Sequence, residues 1–161
     1  GRDVAAALQT IIEIGDADAL HGTIDDAFPG SRLQVVESRG RFDLELKAHG
    51  LLRPLTSAEL SDGTLRYLLL VAALLSPRPP SLMVLNEPET SLHSDLLPAL
   101  ARLISRANEH TQIVVVTHAQ DLVEALTATG AQPLCLVKDF GATTLDGVGT
   151  LEQTPWNWGS R

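Results

Sequence analysis

The chain has 161 residues, 44% of them hydrophobic and 20% charged, with a formal net charge of −8. That is enough for one domain with a real core, and it excludes a disordered chain. The acidic balance argues against a broad basic nucleic-acid footprint on these residues. The longest oily stretch, Tyr67 to Leu75, falls far short of the roughly 20 apolar residues a membrane helix needs.

No basic start followed by an apolar block opens the chain, so no secretory leader is expected. Val4, Leu8, Ile11 and Ile12 form a helical stripe over Val4 to Ile14. Asp16 to Phe28 predicts a second helix, acidic on its outer face and ended by Pro29-Gly30. The period then changes. Phe42, Leu44 and Leu46 alternate with Asp43, Glu45 and Lys47 as in a half-buried strand. Leu33 to Glu37 reads as its partner across the turn Ser38-Arg39-Gly40-Arg41.

From Leu60 onward the pattern is different. Thr64 to Leu75 predicts a mostly apolar helix, stopped by Pro77, Pro79 and Pro80. Ser81 to Leu85 is a short, wholly apolar strand. Asp95 to Ala107 predicts a helix with Leu96, Leu100, Leu103, Ile104 and Ala107 on one face; Ser94 as N-cap would put Pro98 in its first turn. Gln112 to Val116 is a second apolar, β-branched strand. Leu122, Val123 and Leu126 mark another helix, ended near Gly130. Leu134 to Val137 is expected to be a third apolar strand, with Cys135 buried in it as a small hydrophobe. Lys138 to Leu145 is readable as a hairpin, and the tail with Trp156 and Trp158 looks irregular.

Strands apolar on both faces and separated by helices predict an α/β fold, with a buried, mostly parallel sheet and right-handed crossovers. Three segments follow: a helix-plus-hairpin piece over 1–54, the α/β core over 55–140 and the tail over 141–161. Ligands of such sheets sit beyond the C-terminal ends of the strands. The residues there are Asn86 and Glu87 after the first strand, and Thr117 and His118 after the second. His21, His49 and His110 have no ligand-like spacing with Cys135, so no transition-metal site is expected. A lone cysteine suits a reducing cytoplasm.

Four motifs run in order: Leu60-Ser61-Asp62-Gly63-Thr64, Leu82 to Pro88, Glu89-Thr90-Ser91-Leu92-His93, and Val114-Val115-Val116-Thr117-His118. This set resembles the C-terminal half of ABC-class ATPases, most closely the SMC/RecF-like group of AAA-type ATP-binding proteins, over roughly Leu55 to Leu126. The resemblance implies the P-loop NTPase fold, ATP and Mg2+ as ligands, and ATP sandwiched in a homodimer. It makes the first motif the ABC signature, whose Ser61 and Gly63 meet the γ-phosphate of the opposite protomer's nucleotide. It makes the second the Walker B strand, with Glu87 as the base that orients and deprotonates the attacking water. His118 becomes the switch histidine on the γ-phosphate, and His93 a cross-dimer contact.

Three positions depart from the family's usual pattern, and the first, Asp62 in place of a glycine of the commonest signature, is tolerated in this group. Asn86 stands where the family usually places a magnesium-holding aspartate; Asn keeps one acceptor oxygen but loses the charge, so it would hold the metal weakly or through water. Ala119 follows His118 where serine is usual. The sequence also contains no Gly-x-x-x-x-Gly-Lys-Ser/Thr run, so the cradle for the α- and β-phosphates is absent. The chain therefore reads as a C-terminal fragment whose first partner is the N-terminal, Walker A half of the same protein, and which is inactive alone.

The main alternative is a catalytically weakened, nucleotide-dependent interaction or regulatory module, which Asn86 and Ala119 favour. A nuclease branch ranks last, because Asp139 and Asp146 do not supply its acidic cluster. DNA enters only through the family likeness, and no membrane subunit is expected.

Overall fold

The N-terminal helix forms because its apolar residues share one face. In α1 (Arg2–Ile14), Ala5, Leu8 and Ile11 are fully buried. Helix α2 (Ala17–Ala27) starts at Asp16, whose carboxylate accepts from the Ala19 N–H at 2.7 Å, and it buries Ala19, Leu20 and Ile24. The computed structural model describes residues 2–38, 40–139 and 142–146, which divide into two units between Ala131 and Gln132.

The hairpin expected next is present. Strands β1 (Arg32–Ser38) and β2 (Arg41–Lys47) pair antiparallel, with Leu33 opposite Leu46 and Val35 opposite Leu44. Leu33, Leu44 and Leu46 are buried, whereas Phe42 lies toward the hairpin tip and stays partly exposed. A two-residue strand, β3 (Leu55–Thr56), extends this sheet in the order β1-β2-β3. It is too short to carry a periodicity signal.

Helix α3 (Asp62–Leu74) is capped by Ser61 and buries Tyr67, Leu68, Val71, Ala72 and Leu74. The Phe28 and Tyr67 rings meet edge to face, with centroids 5.6 Å apart. Burial pushes the Tyr67 hydroxyl pKa up. Strands β4 (Leu82–Asn86) and β5 (Gln112–Val116) pair in parallel, with Leu82 opposite Gln112 and Asn86 opposite Val116.

Between them runs a single 3₁₀ turn, Ser94–Leu96, and then α4 (Leu97–Ala107). The expected Ser94 cap is therefore displaced. His93 caps the turn through Nδ1, and Pro98 falls in the first turn of α4, where its missing N–H costs nothing. Leu100, Ala101, Leu103 and Ile104 of α4 fill the core, and Arg102–Asp26 and Arg106–Asp16 ion pairs join it to the α2 region. Helix α5 (Gln120–Ala128) buries Leu122 and Leu126 and ends at Gly130, which adopts φ 97°.

Three sequence expectations need correction. Among the described residues the parallel sheet is buried on one face only. Leu85 packs into the core with Met83, Ile113 and Val115 against it. On the other face Leu82, Val84, Val114 and Val116 are 50%, 59%, 43% and 50% exposed. The run near Leu134 is not a third parallel strand. Strand β6 (Leu136–Asp139) pairs antiparallel with β7 (Ala142–Leu145), a hairpin in the second unit. Apolar composition alone does not carry strand direction. Cys135, expected to be buried, is exposed just ahead of this hairpin. Trp156 and Trp158 lie outside the described residues.

Candidate functional site

Parallel strands deliver their C-terminal residues to one edge, and β4 and β5 bring Asn86, Glu87, Thr117 and His118 there together. Asn86 ends β4 in the exposed row. The Glu87 N–H continues the ladder by donating to the Val116 carbonyl at 2.8 Å. Glu87 then turns sharply, with φ 44°; Ser91, four residues on, has φ 66°. A non-glycine residue held in this region costs on the order of 1–3 kcal/mol, and such strain persists where the surroundings over-determine it.

The surroundings of Glu87 supply that constraint. Its carbonyl accepts from the Thr90 N–H at 3.1 Å and from the Arg66 guanidinium at 3.2 Å. Its carboxylate Oε1 lies 3.3 Å from His118 Nδ1, with both side chains open to solvent. A carboxylate and an imidazole thus share one strand edge.

A second tie fixes the end of β5. The Thr117 hydroxyl donates to Glu89 Oε1 at 2.5 Å and accepts from the Ala119 N–H at 3.0 Å. Glu89 thereby orients the turn that carries His118. Its other oxygen, Oε2, is buried without a partner among the described residues. Sequence reading placed Glu89 in the post-strand loop but gave it no contact. No local pattern pairs it with Thr117, which lies 28 residues away.

The signature-like motif sits at the N-terminus of α3. The Ser61 hydroxyl accepts from the Thr64 N–H at 3.1 Å and contacts the Thr64 hydroxyl at 2.9 Å. Ser61 is thus an N-cap, and the helix N-terminus it caps is also suited to an anion. Gly63 is required sterically: a Cβ there would stand 2.6 Å from the Ser91 carbonyl oxygen. The post-β4 loop therefore packs directly on the signature turn.

Ser61, Gly63, Thr64, Ser91, Leu92, His93 and Asp95 border an open cavity of about 560 Å³. His93 lies at its rim, 3.4 Å from the Asp95 carboxylate and well exposed. The approach to Ser61 is clasped: Arg53 donates two hydrogen bonds to Glu59, at 2.6 and 2.9 Å. That contact, with further bonds from Thr56, holds the Glu59 pKa down to about 2. Among the described residues no cluster of three or more His, Cys, Asp or Glu forms a metal cage. No described helix is long and apolar enough to cross a membrane.

The six residues singled out by sequence thus fall into two groups. Asn86, Glu87 and His118 meet at the β4–β5 edge. Ser61, Gly63 and His93 line the cavity at the start of α3. Arg66 of α3 joins the groups through the Glu87 carbonyl.

Comparison with known proteins places this architecture. The fold is similar to a structure from work on ATP-driven dimerisation and DNA-stimulated activation of SMC ATPases, with TM-score 0.67 and 14% identity, covering 90% of this chain and 88% of that one. It is similar to the Smc head domain with coiled coil and joint from Pyrococcus yayanosii, with TM-score 0.66 and 16% identity, covering 90% of this chain and 28% of that one. The SMC head domain from Thermotoga maritima matches with TM-score 0.57 and 20% identity, over 88% of this chain and 51% of that one. The chain thus spans about half or less of these two larger head structures. At these identities the likeness establishes the fold, that of SMC-type ATPase heads. No curated protein matches the chain. Residues 9–124 match the family model described as "AAA domain, putative AbiEii toxin, Type IV TA system". The match covers well over half of the chain, which therefore belongs to this AAA-domain family with an SMC-head fold.

Proposed function

We propose that this chain supplies the signature, base and switch-histidine half of an ATP-hydrolysing site. The observation that carries the reading is Glu87: a strained residue at the end of a parallel strand, its carboxylate 3.3 Å from His118. A carboxylate so placed is suited to orient a water and take its proton, and His118 is within reach of the same reacting group.

The residues present suit a nucleotide in part. Gly63, with no Cβ, lets the post-β4 loop pack beside the start of α3, and Ser61, Thr64 and the helix N-terminus offer donors to a γ-phosphate. Bound ATP would contribute the phosphoryl group and Mg2+ the charge neutralisation. Asn86 would hold the metal only weakly or through water, since it brings one neutral oxygen. A homodimer that sandwiches ATP would let Ser61 and Gly63 serve the neighbour's nucleotide while Glu87 serves its own, with His93 at the seam.

The open face of β4–β5 supports a second part of the proposal. This two-stranded parallel sheet leaves four apolar side chains exposed on one face, whereas parallel sheets are generally covered on both. We infer that a Walker A half, with its own strands and phosphate cradle, packs on this face. The 161-residue chain alone then hydrolyses no ATP at a useful rate. Combined with that half it should release phosphate, and Glu87→Gln should abolish release. Robust turnover by the chain alone, lost in Glu87→Gln, would overturn the composite site.

Asn86 and Ala119 favour a second reading, a module that closes on nucleotide without hydrolysis. ATP-dependent dimerisation without phosphate release would select it. A DNA-linked role rests on the SMC likeness alone; ATP-dependent retention of duplex DNA tests it.

A further inference from the structure

The residue that holds Glu87 in place comes from α3, and no sequence motif named it. The Arg66 guanidinium is partly buried and donates through Nη2 to the Glu87 carbonyl across 21 residues of sequence. Its Nε is buried with no partner among the described residues. A buried donor left unpaired opposes stability, so packing alone is a poor account of this side chain. The carbonyl it grips belongs to a residue with φ 44°, a backbone setting that glutamate adopts only when held. The same carbonyl accepts the Thr90 N–H, so the contact also closes the turn after β4. One turn earlier on the same helix, Gly63 backs onto the Ser91 carbonyl and fixes the loop's other left-handed residue.

We propose that Arg66 is the positioning residue for Glu87: its guanidinium, reaching from α3, holds the Glu87 carbonyl and so fixes the left-handed backbone that aims the carboxylate beyond the sheet edge. The functional consequence rests on the reading of Glu87 as the base. The geometric claim does not. It further ties the anion-accepting end of α3 to the base, because Gly63 and Arg66 lie on one helix and grip one loop.

The test uses the isotope-labelled 161-residue chain. Arg66→Met keeps the apolar stem and removes the donor. The Glu87 13Cα and 13C′ shifts should leave their left-handed values in this variant while the core resonances hold. Glu87 shifts identical to wild type in a folded Arg66→Met chain overturn the proposal. A second measurement needs no variant: in the wild-type chain the Arg66 Nη hydrogens should show restricted rotation about Cζ–Nη, and free averaging there also overturns it.

With a Walker A half supplied, Arg66→Met should lower kcat by about tenfold to a hundredfold, the scale of a misplaced reacting group. KM for ATP should stay within about twofold, because Arg66 bonds the Glu87 backbone and does not line the cavity at Ser61 and Gly63. Arg66→Lys, which restores a donor of poorer geometry, should recover part of the loss. Displaced Glu87 carbons with unchanged kcat would deny the positioning role. A wild-type protein that turns over no ATP sinks the reading of Glu87 as base, and the carbon shifts still decide the geometry.

Discussion

The two faces of β4–β5 carry nearly the same chemistry and have opposite fates. Met83, Leu85, Ile113 and Val115 face the core built on α1, α3 and α4, while Leu82, Val84, Val114 and Val116 face outward and stay open. Composition alone predicted burial on both sides, as parallel strands require. The difference teaches that an apolar run marks a strand suited to burial, while which face the described residues cover depends on packing that the run does not encode. It also underlies the proposal of a composite site: the edge holding Glu87 and His118 belongs to a sheet that the described residues cover on one side.

Adjacent residues can break this comparison. Leu85→Ala should cost about 2–5 kcal/mol, the range for a buried leucine, whereas Val84→Ala should stay within about 0.5 kcal/mol, as for an exposed position. Denaturant melts of both variants decide it, and equal losses would mean that the outer face is covered already. Val84→Lys should leave the chain folded yet abolish association with a Walker A half, measured by titration calorimetry.

Gly63→Ala comes next. The new Cβ meets a backbone carbonyl at 2.6 Å, so the loop must move, at about 1–3 kcal/mol by the scale of overpacking. Melting temperature and the Ser91 amide shift report it; a Gly63→Ala chain as stable as wild type would show that the signature turn and the loop are not packed together.

How much was legible in the sequence depends on the range of the interaction. The α1 stripe and the β4 and β5 runs are local and stood in the sequence, as did the four-motif order that named the family. The 3₁₀ turn before α4 went unseen because Asp95 and Leu96 fit either helix type. The direction of β6 went unseen because an apolar run does not encode its partner. Arg66 and Glu89 went unseen because their partners lie 21 and 28 residues away in sequence. The left-handed turn at Glu87 went unseen because it runs against residue preference.

That last point gives a smaller, signed effect. Glu87→Gly relieves the positive φ and should stabilise the fold by about 1 kcal/mol while removing the base. A destabilised Glu87→Gly chain would mean that the carboxylate contributes to stability through its contact with His118. Smaller again is the Arg53–Glu59 clasp. Glu59 ionises near pH 2 in the fold against a usual 4.5, so its contribution is present above the ordinary value and lost as the pH falls toward 2. The Thr56 amide should titrate in that window, and a Thr56 signal unmoved between those pH values would show that the clasp is open in solution.

The central claim is that Glu87 is the base of a site completed by another half. Phosphate release is its most direct measure, taken on this chain alone, on the chain with a Walker A half, and on that pair carrying Glu87→Gln. The account expects release from the second only. Turnover by the chain alone that disappears in Glu87→Gln, or turnover by the pair that survives Glu87→Gln, would contradict it.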